Sequence, residues 1–107
     1  MDPWDDETVQ DAVAVLQHLV MWTHGPQRWE EVDLAMVELR AAFEAGDADA
    51  VRAAIAELDR LGPDRILRIG SRTATGIPTP VLDRRNTLVH WLTRHREEDD
   101  RGRRQPR

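Results

Sequence analysis

The strongest constraint on how this chain can fold is a two-residue corner. Gly46 and Asp47 separate two runs of helical periodicity, and a link this short makes the two helices antiparallel neighbours. Upstream, Trp29, Val32, Met36, Leu39 and Phe43 recur at steps of three and four, which sets them in one stripe along a helix. Ala35 and Ala42 fall beside that stripe, whereas Glu30, Glu31, Asp33, Glu38, Arg40 and Glu44 lie away from most of it. Gly46 can take the left-handed conformation that closes a helix, and Asp47 brings an oxygen for the free amides of the next one. Downstream, Val51, Ile55 and Leu58 form a stripe padded by Ala50, Ala53, Ala54 and Ala56, small residues that let a neighbouring backbone approach closely. Leu61, Gly62 and Pro63 end the run, because proline cannot continue the hydrogen-bond ladder.

The rest of the chain is arranged around this central hairpin. Asp5, Asp6 and Glu7 suit the partly positive start of a first helix, predicted over residues 6–23. Val9, Val13, Leu16 and Val20 make one stripe there, and Ala12, Val15, Leu19 and Trp22 make a second beside it. An apolar arc so wide fits either a helix lying between two others or one part of whose surface meets another chain, a second copy or a different protein. Gly25 and Pro26 close this helix and open the next. Over residues 63–78, Ile66, Leu67 and Ile69 fit one more helical turn capped by Asp64, or a short extended segment. Residues 70–80 read as a loop, with Thr79 as cap and Pro80 at the first position of a last helix that runs to about residue 95. Its stripe is Val81, Leu88 and Leu92, flanked by Leu82, Val89 and Trp91. Residues 97–107 hold no apolar side chain and read as a disordered charged tail. The expected fold is an all-α, single-domain bundle of four main helices over residues 1–96, with room for an extra short helix and with a tail at 97–107.

Composition narrows the chemistry. The chain of 107 residues has no cysteine, which removes disulfides and thiolate catalysis and suits a cytoplasmic setting. No apolar run approaches the roughly 20 residues of a membrane span. All 15 basic residues are arginine, and charge is unevenly distributed: residues 1–59 hold 14 acidic and 3 basic side chains, residues 60–96 hold 2 acidic and 8 basic. Such polarity fits either opposite charges facing each other within the folded unit or a surface that steers a partner. His18 and His24 are six apart, His90 and His95 five apart, and neither spacing sets two imidazoles on one helix face. Ser71, the only serine, lacks the Gly-x-Ser-x-Gly elbow, and residues 70–76 lack the Walker spacing and its lysine. The carboxylate pairs Asp5/Asp6 and Glu30/Glu31 point to different helix faces. Catalytic, cofactor and metal sites are therefore not expected.

"PWDDETVQDAVAVLQHL", "LRAAFEAGDADAVRAAIAELD" and above all "IPTPVLDRRNTLVHWL" resemble the small helical proteins associated with CATRA systems, bacterial conflict systems named for caspase-like peptidase and TPR-repeat association. The segment with Arg85, Asn86, Leu88, Val89 and His90 carries most of that likeness. The resemblance implies a non-enzymatic accessory, an adaptor or regulator working with larger CATRA or caspase-like effector partners in bacterial defence, and it carries over no catalytic residues.

From the residues themselves, the expected function is a protein-protein interaction module. Tryptophan and arginine dominate interface energetics, so the contact residues expected are Trp22 and Trp29 near the first corner, with Arg84, Arg85 and Trp91 on the basic last helix. The alternative is a nucleic-acid-binding regulator that uses the arginines of residues 60–96, against which stands the acidic remainder of the chain.

Overall fold

The computed structural model describes residues 3–62 and 75–103. Four helices make up the fold: α1 (Asp6–Leu19), α2 (Pro26–Ala45), α3 (Ala48–Arg60) and α4 (Thr79–Arg103). The chain is an all-α bundle, as expected. The readings placed on Ser71, on Arg65, Arg68 and Arg72, on residues 66–69, on residues 70–74 of the loop and on residues 104–107 lie outside the described residues.

The corner between α2 and α3 closes as its residues dictate. Gly46 sits at φ 71°, ψ 24°, the left-handed cap, and its amide donates back to Phe43 O at 3.1 Å. Asp47 then accepts from the Ala50 amide through Oδ1 at 3.1 Å. At the front of α1, Asp5 Oδ1 accepts from the Glu7 amide at 2.8 Å in the same manner.

The packing is a square, in the order α1, α3, α2, α4, and its diagonals stay apart. Close helix pairs are α2 with α3, α2 with α4, α1 with α4 and α1 with α3. Its own chain neighbour, α2, is therefore diagonal to α1, and the wide apolar arc of α1 is explained by two flanking helices. Leu16, Leu19, Val32, Met36, Leu39, Val51, Leu58 and Leu92 are buried in the shared core.

Several boundaries differ from the periodicity. α1 stops at Leu19, short of Thr23, because the Met21 and Trp22 amides bond three residues back, to His18 O and Leu19 O. That tighter turn swings the Trp22 ring inward, where a Cβ on Gly62 would come within 3.4 Å of it. In α3 the buried row is Val51, Ala54 and Leu58, with Ile55 only half-buried, so the small Ala54 faces the core in its place. α4 begins at Thr79, and the Pro78 carbonyl accepts from the Leu82 amide at 2.9 Å, which places Thr79 and Pro80 both inside the first turn. At its far end α4 continues as helix to Arg103, past the expected end near residue 95. Glutamate and arginine favour helix intrinsically, so the loss of apolar residues after residue 96 does not by itself end the helix.

Candidate interaction surface

Two aromatic clusters fix the ends of the bundle. At the first, the His24 ring lies between Trp22 and Trp29, with centroids at 5.6 and 5.2 Å and both contacts edge-on. His24 and Thr75 exchange backbone hydrogen bonds at 3.0 and 2.8 Å, and Trp29 Nε1 donates to Thr75 O at 3.0 Å. The segment leading into α4 is thereby fastened to the corner between α1 and α2. At the other end Trp4 packs on Phe43 at 4.7 Å, on Trp91 at 5.2 Å and, stacked, on His95 at 4.8 Å. The Arg40 guanidinium lies over the Trp91 ring at 4.7 Å.

These contacts decide where the five expected contact residues fall. Trp22 and Trp29 are core residues, 9% and 2% exposed, and offer a partner almost no surface. Their burial follows from the closure onto Thr75 and Gly62, contacts between distant parts of the chain that periodicity does not report. Trp91 is half-buried within the second cluster. Arg85 turns inward: its Nε donates to Leu16 O at 3.0 Å, satisfying a carbonyl in the last turn of α1, where a cation also complements the helix dipole. Its guanidinium further donates to Asn86 Oδ1 at 2.7 Å. Arg84 stays on the surface and pairs with Asp33 at 2.6 Å. The structure thus joins Trp22 to Trp29, sets Arg84 one turn along from them by way of Asp33, and leaves Trp91 at the opposite end.

The charge polarity of the chain is met in part inside the fold. The part of α4 up to Arg96, which is basic, lies against acidic α1 and α2, where Arg84 meets Asp33 and Arg96 grips Asp6 with two contacts, at 2.8 and 3.3 Å. Arg60 similarly holds Glu57 through both carboxylate oxygens, at 2.6 and 3.0 Å. That pairing holds the Glu57 carboxyl below its ordinary range. Among the described residues no three potential ligands gather to hold a metal ion, and no helix is long and apolar enough to cross a membrane.

Apart from Met21, which is 83% exposed after the end of α1, the large apolar side chains left open among the described residues lie along α2. A groove of about 550 Å³ runs between α2 and α4; its floor is Met36 and Leu88, and Val37, Ala41, Pro80, Arg84 and Thr87 rise around it. Beside it, Leu34 is 59% and Val37 40% exposed. Sequence reasoning missed this row because the Trp29 to Phe43 stripe already accounted for one face of α2. The signal was present, however: Leu34, Val37 and Ala41 recur at steps of three and four on the opposite side.

No curated protein and no solved structure matches the chain. A family model does, that of the CATRA-Associated Small Protein, over residues 11–96, which take in most of α1, the whole hairpin and α4 as far as Arg96. The chain therefore belongs to the CATRA-Associated Small Protein family.

Proposed function

We propose that the protein is a non-enzymatic interaction module, an adaptor or regulator that acts in the cytoplasm within a CATRA-type bacterial conflict system. The observation that carries this reading is the exposed apolar row on α2 beside the α2/α4 groove. The interior is already full: the tryptophans pack against other rings, and Arg84, Arg85 and Arg96 meet internal partners. Leu34 and Val37 have no such role, and large exposed aliphatic side chains grouped beside a groove are what a binding surface requires. Family membership supplies the setting, association with CATRA systems.

Size-exclusion chromatography with light scattering tests the reading, on the chain alone and mixed with the CATRA proteins encoded beside its gene. A shift into a larger complex is the expected result. A chain whose mass is unchanged by every such neighbour would end the adaptor reading. The nucleic-acid alternative is checked by a gel-shift series in rising salt, in which the expected outcome is no retarded species even at low ionic strength.

A further inference from the structure

We propose that the outer face of α2 docks a cationic amphipathic helix supplied by the protein partner, with the apolar row of that helix along Leu34, Val37 and Ala41 and its basic side chains against the flanking carboxylates. This rests on the interaction-module reading above and names the partner's chemistry. Leu34, Val37 and Ala41 are all exposed and succeed one another at helical spacing, so α2 carries a second apolar row on its outer side. Seven residues of helix span about 10 Å, roughly two turns of a docked helix. The groove extends the same surface toward α4, since Val37 and Ala41 form one of its walls.

Charge selects the occupant. Glu30 precedes Leu34 by one turn and Glu38 follows it by one, and both are exposed. Among the described residues neither has an ion-pair partner, whereas the nearby cations are engaged: Arg28 by Glu31, Arg40 by Glu44, and Arg84 by Asp33. The row is therefore apolar with a net negative border. Covering it with a neutral or acidic helix would strip water from those carboxylates without supplying a counter-charge. A basic helix pairs them as it buries the row, the helix-in-groove mode of recognition with electrostatic selection added. A second copy docking by this same face would set Glu30 and Glu38 against their own equivalents, a like-charge arrangement.

The test uses the full chain and a fluorescent helical peptide of about 18 residues, leucine at helical spacing and lysine elsewhere, with a twin carrying glutamate for lysine. Binding is read by anisotropy for the wild type, for Leu34→Ser with Val37→Ser, and for Glu30→Lys with Glu38→Lys. All four positions are exposed, and unchanged circular dichroism establishes that the variants fold. The lysine peptide is expected to bind and the glutamate peptide not. The apolar pair of substitutions should weaken binding by about tenfold or more, and the charge reversal should transfer preference to the glutamate peptide. Failure of the lysine peptide to bind, equal binding of both peptides, or indifference to the substitutions overturns the proposal, as does a dimer that Leu34→Ser with Val37→Ser dissociates. The same variants mixed with the CATRA proteins separate the two claims. A complex that forms equally well with both sets of variants removes this surface and keeps the adaptor function. Selective lysine-peptide binding in a chain that ignores every CATRA protein keeps the surface and removes that function.

Discussion

Replacing Gly46 by alanine isolates the backbone contribution of the corner on which the hairpin turns. Gly46 is the one described residue other than an ordinary right-handed or extended one, at φ 71°, and a Cβ built there meets nothing within 4 Å. Steric overlap with the rest of the fold is thereby removed from the account. What remains is the strain of an L-residue in the left-handed region, about 1–2 kcal/mol, partly offset by the lower entropy of the unfolded alanine chain, about 0.4–1 kcal/mol. The net loss expected is about 1 kcal/mol, or a fall in Tm of about 4–8 °C for a domain of this size. Urea and thermal unfolding followed by circular dichroism measure it. Gly46→Asn serves as the control: asparagine tolerates the left-handed region better than alanine and is larger. If φ is the cause, the asparagine variant loses less than the alanine variant. An alanine variant as stable as the wild type, or an asparagine variant worse than alanine, refutes the argument.

Three other outcomes follow from particular contacts. Trp29→Phe keeps a ring in the core but removes the donor to Thr75 O, with an expected loss of about 2 kcal/mol from the hydrogen bond and the lost apolar area together; amide exchange at Thr75, which donates to His24 O, should accelerate more than exchange in α3. A double-mutant cycle on Arg96 and Asp6, whose side chains are 37% and 63% exposed, should give a coupling of at most about 1 kcal/mol that declines with added salt. The Glu57 carboxyl, lowered from its ordinary 4.5 by its hydrogen bonds from Arg60, is a group whose folded pKa lies below its unfolded one. Its contribution is present above pH 4.5 and disappears as pH falls through the folded value, so the stability difference between the wild type and Glu57→Gln should be constant near neutrality and vanish in acid.

Local features of the fold were legible where the cause itself is local. Gly46 and Asp47 announce the corner, Asp5 announces the start of α1, and the Trp29 to Phe43 stripe names the buried face of α2, because caps and periodicity act within a few residues. Contacts closed by the tertiary fold were not legible. Trp4 stands in a lead-in with no periodicity, yet it stacks on His95 and packs on Phe43 and Trp91, residues far along the chain. Trp22 and Trp29 carry the side-chain chemistry of interface anchors, and only the return of Thr75 to His24 reveals them as core. Likewise, a wide apolar arc on α1 reports that two neighbours exist without reporting that they are α3 and α4 rather than α2.

Charge shows how the same polarity serves the fold and then the surface. The first 59 residues are strongly acidic, and on folding the basic part of α4 up to Arg96 is drawn against them, with Asp33 and Asp6 held by Arg84 and Arg96 and the end of α1 capped by Arg85. Each of these contacts lies where α4 faces α1 or α2. The outer side of α2 is beyond their reach, and Glu30 and Glu38 stand there beside Leu34 and Val37. Neutralisation of the acidic half is thus incomplete at the place where α2 also exposes aliphatic side chains. An apolar row alone would attract any amphipathic partner, and an acidic patch alone would be a solvated face; together they discriminate, because only a basic apolar helix satisfies both. That discrimination separates a protein-binding surface of this sign from a nucleic-acid surface, since phosphates would be repelled by the very carboxylates that select the helix.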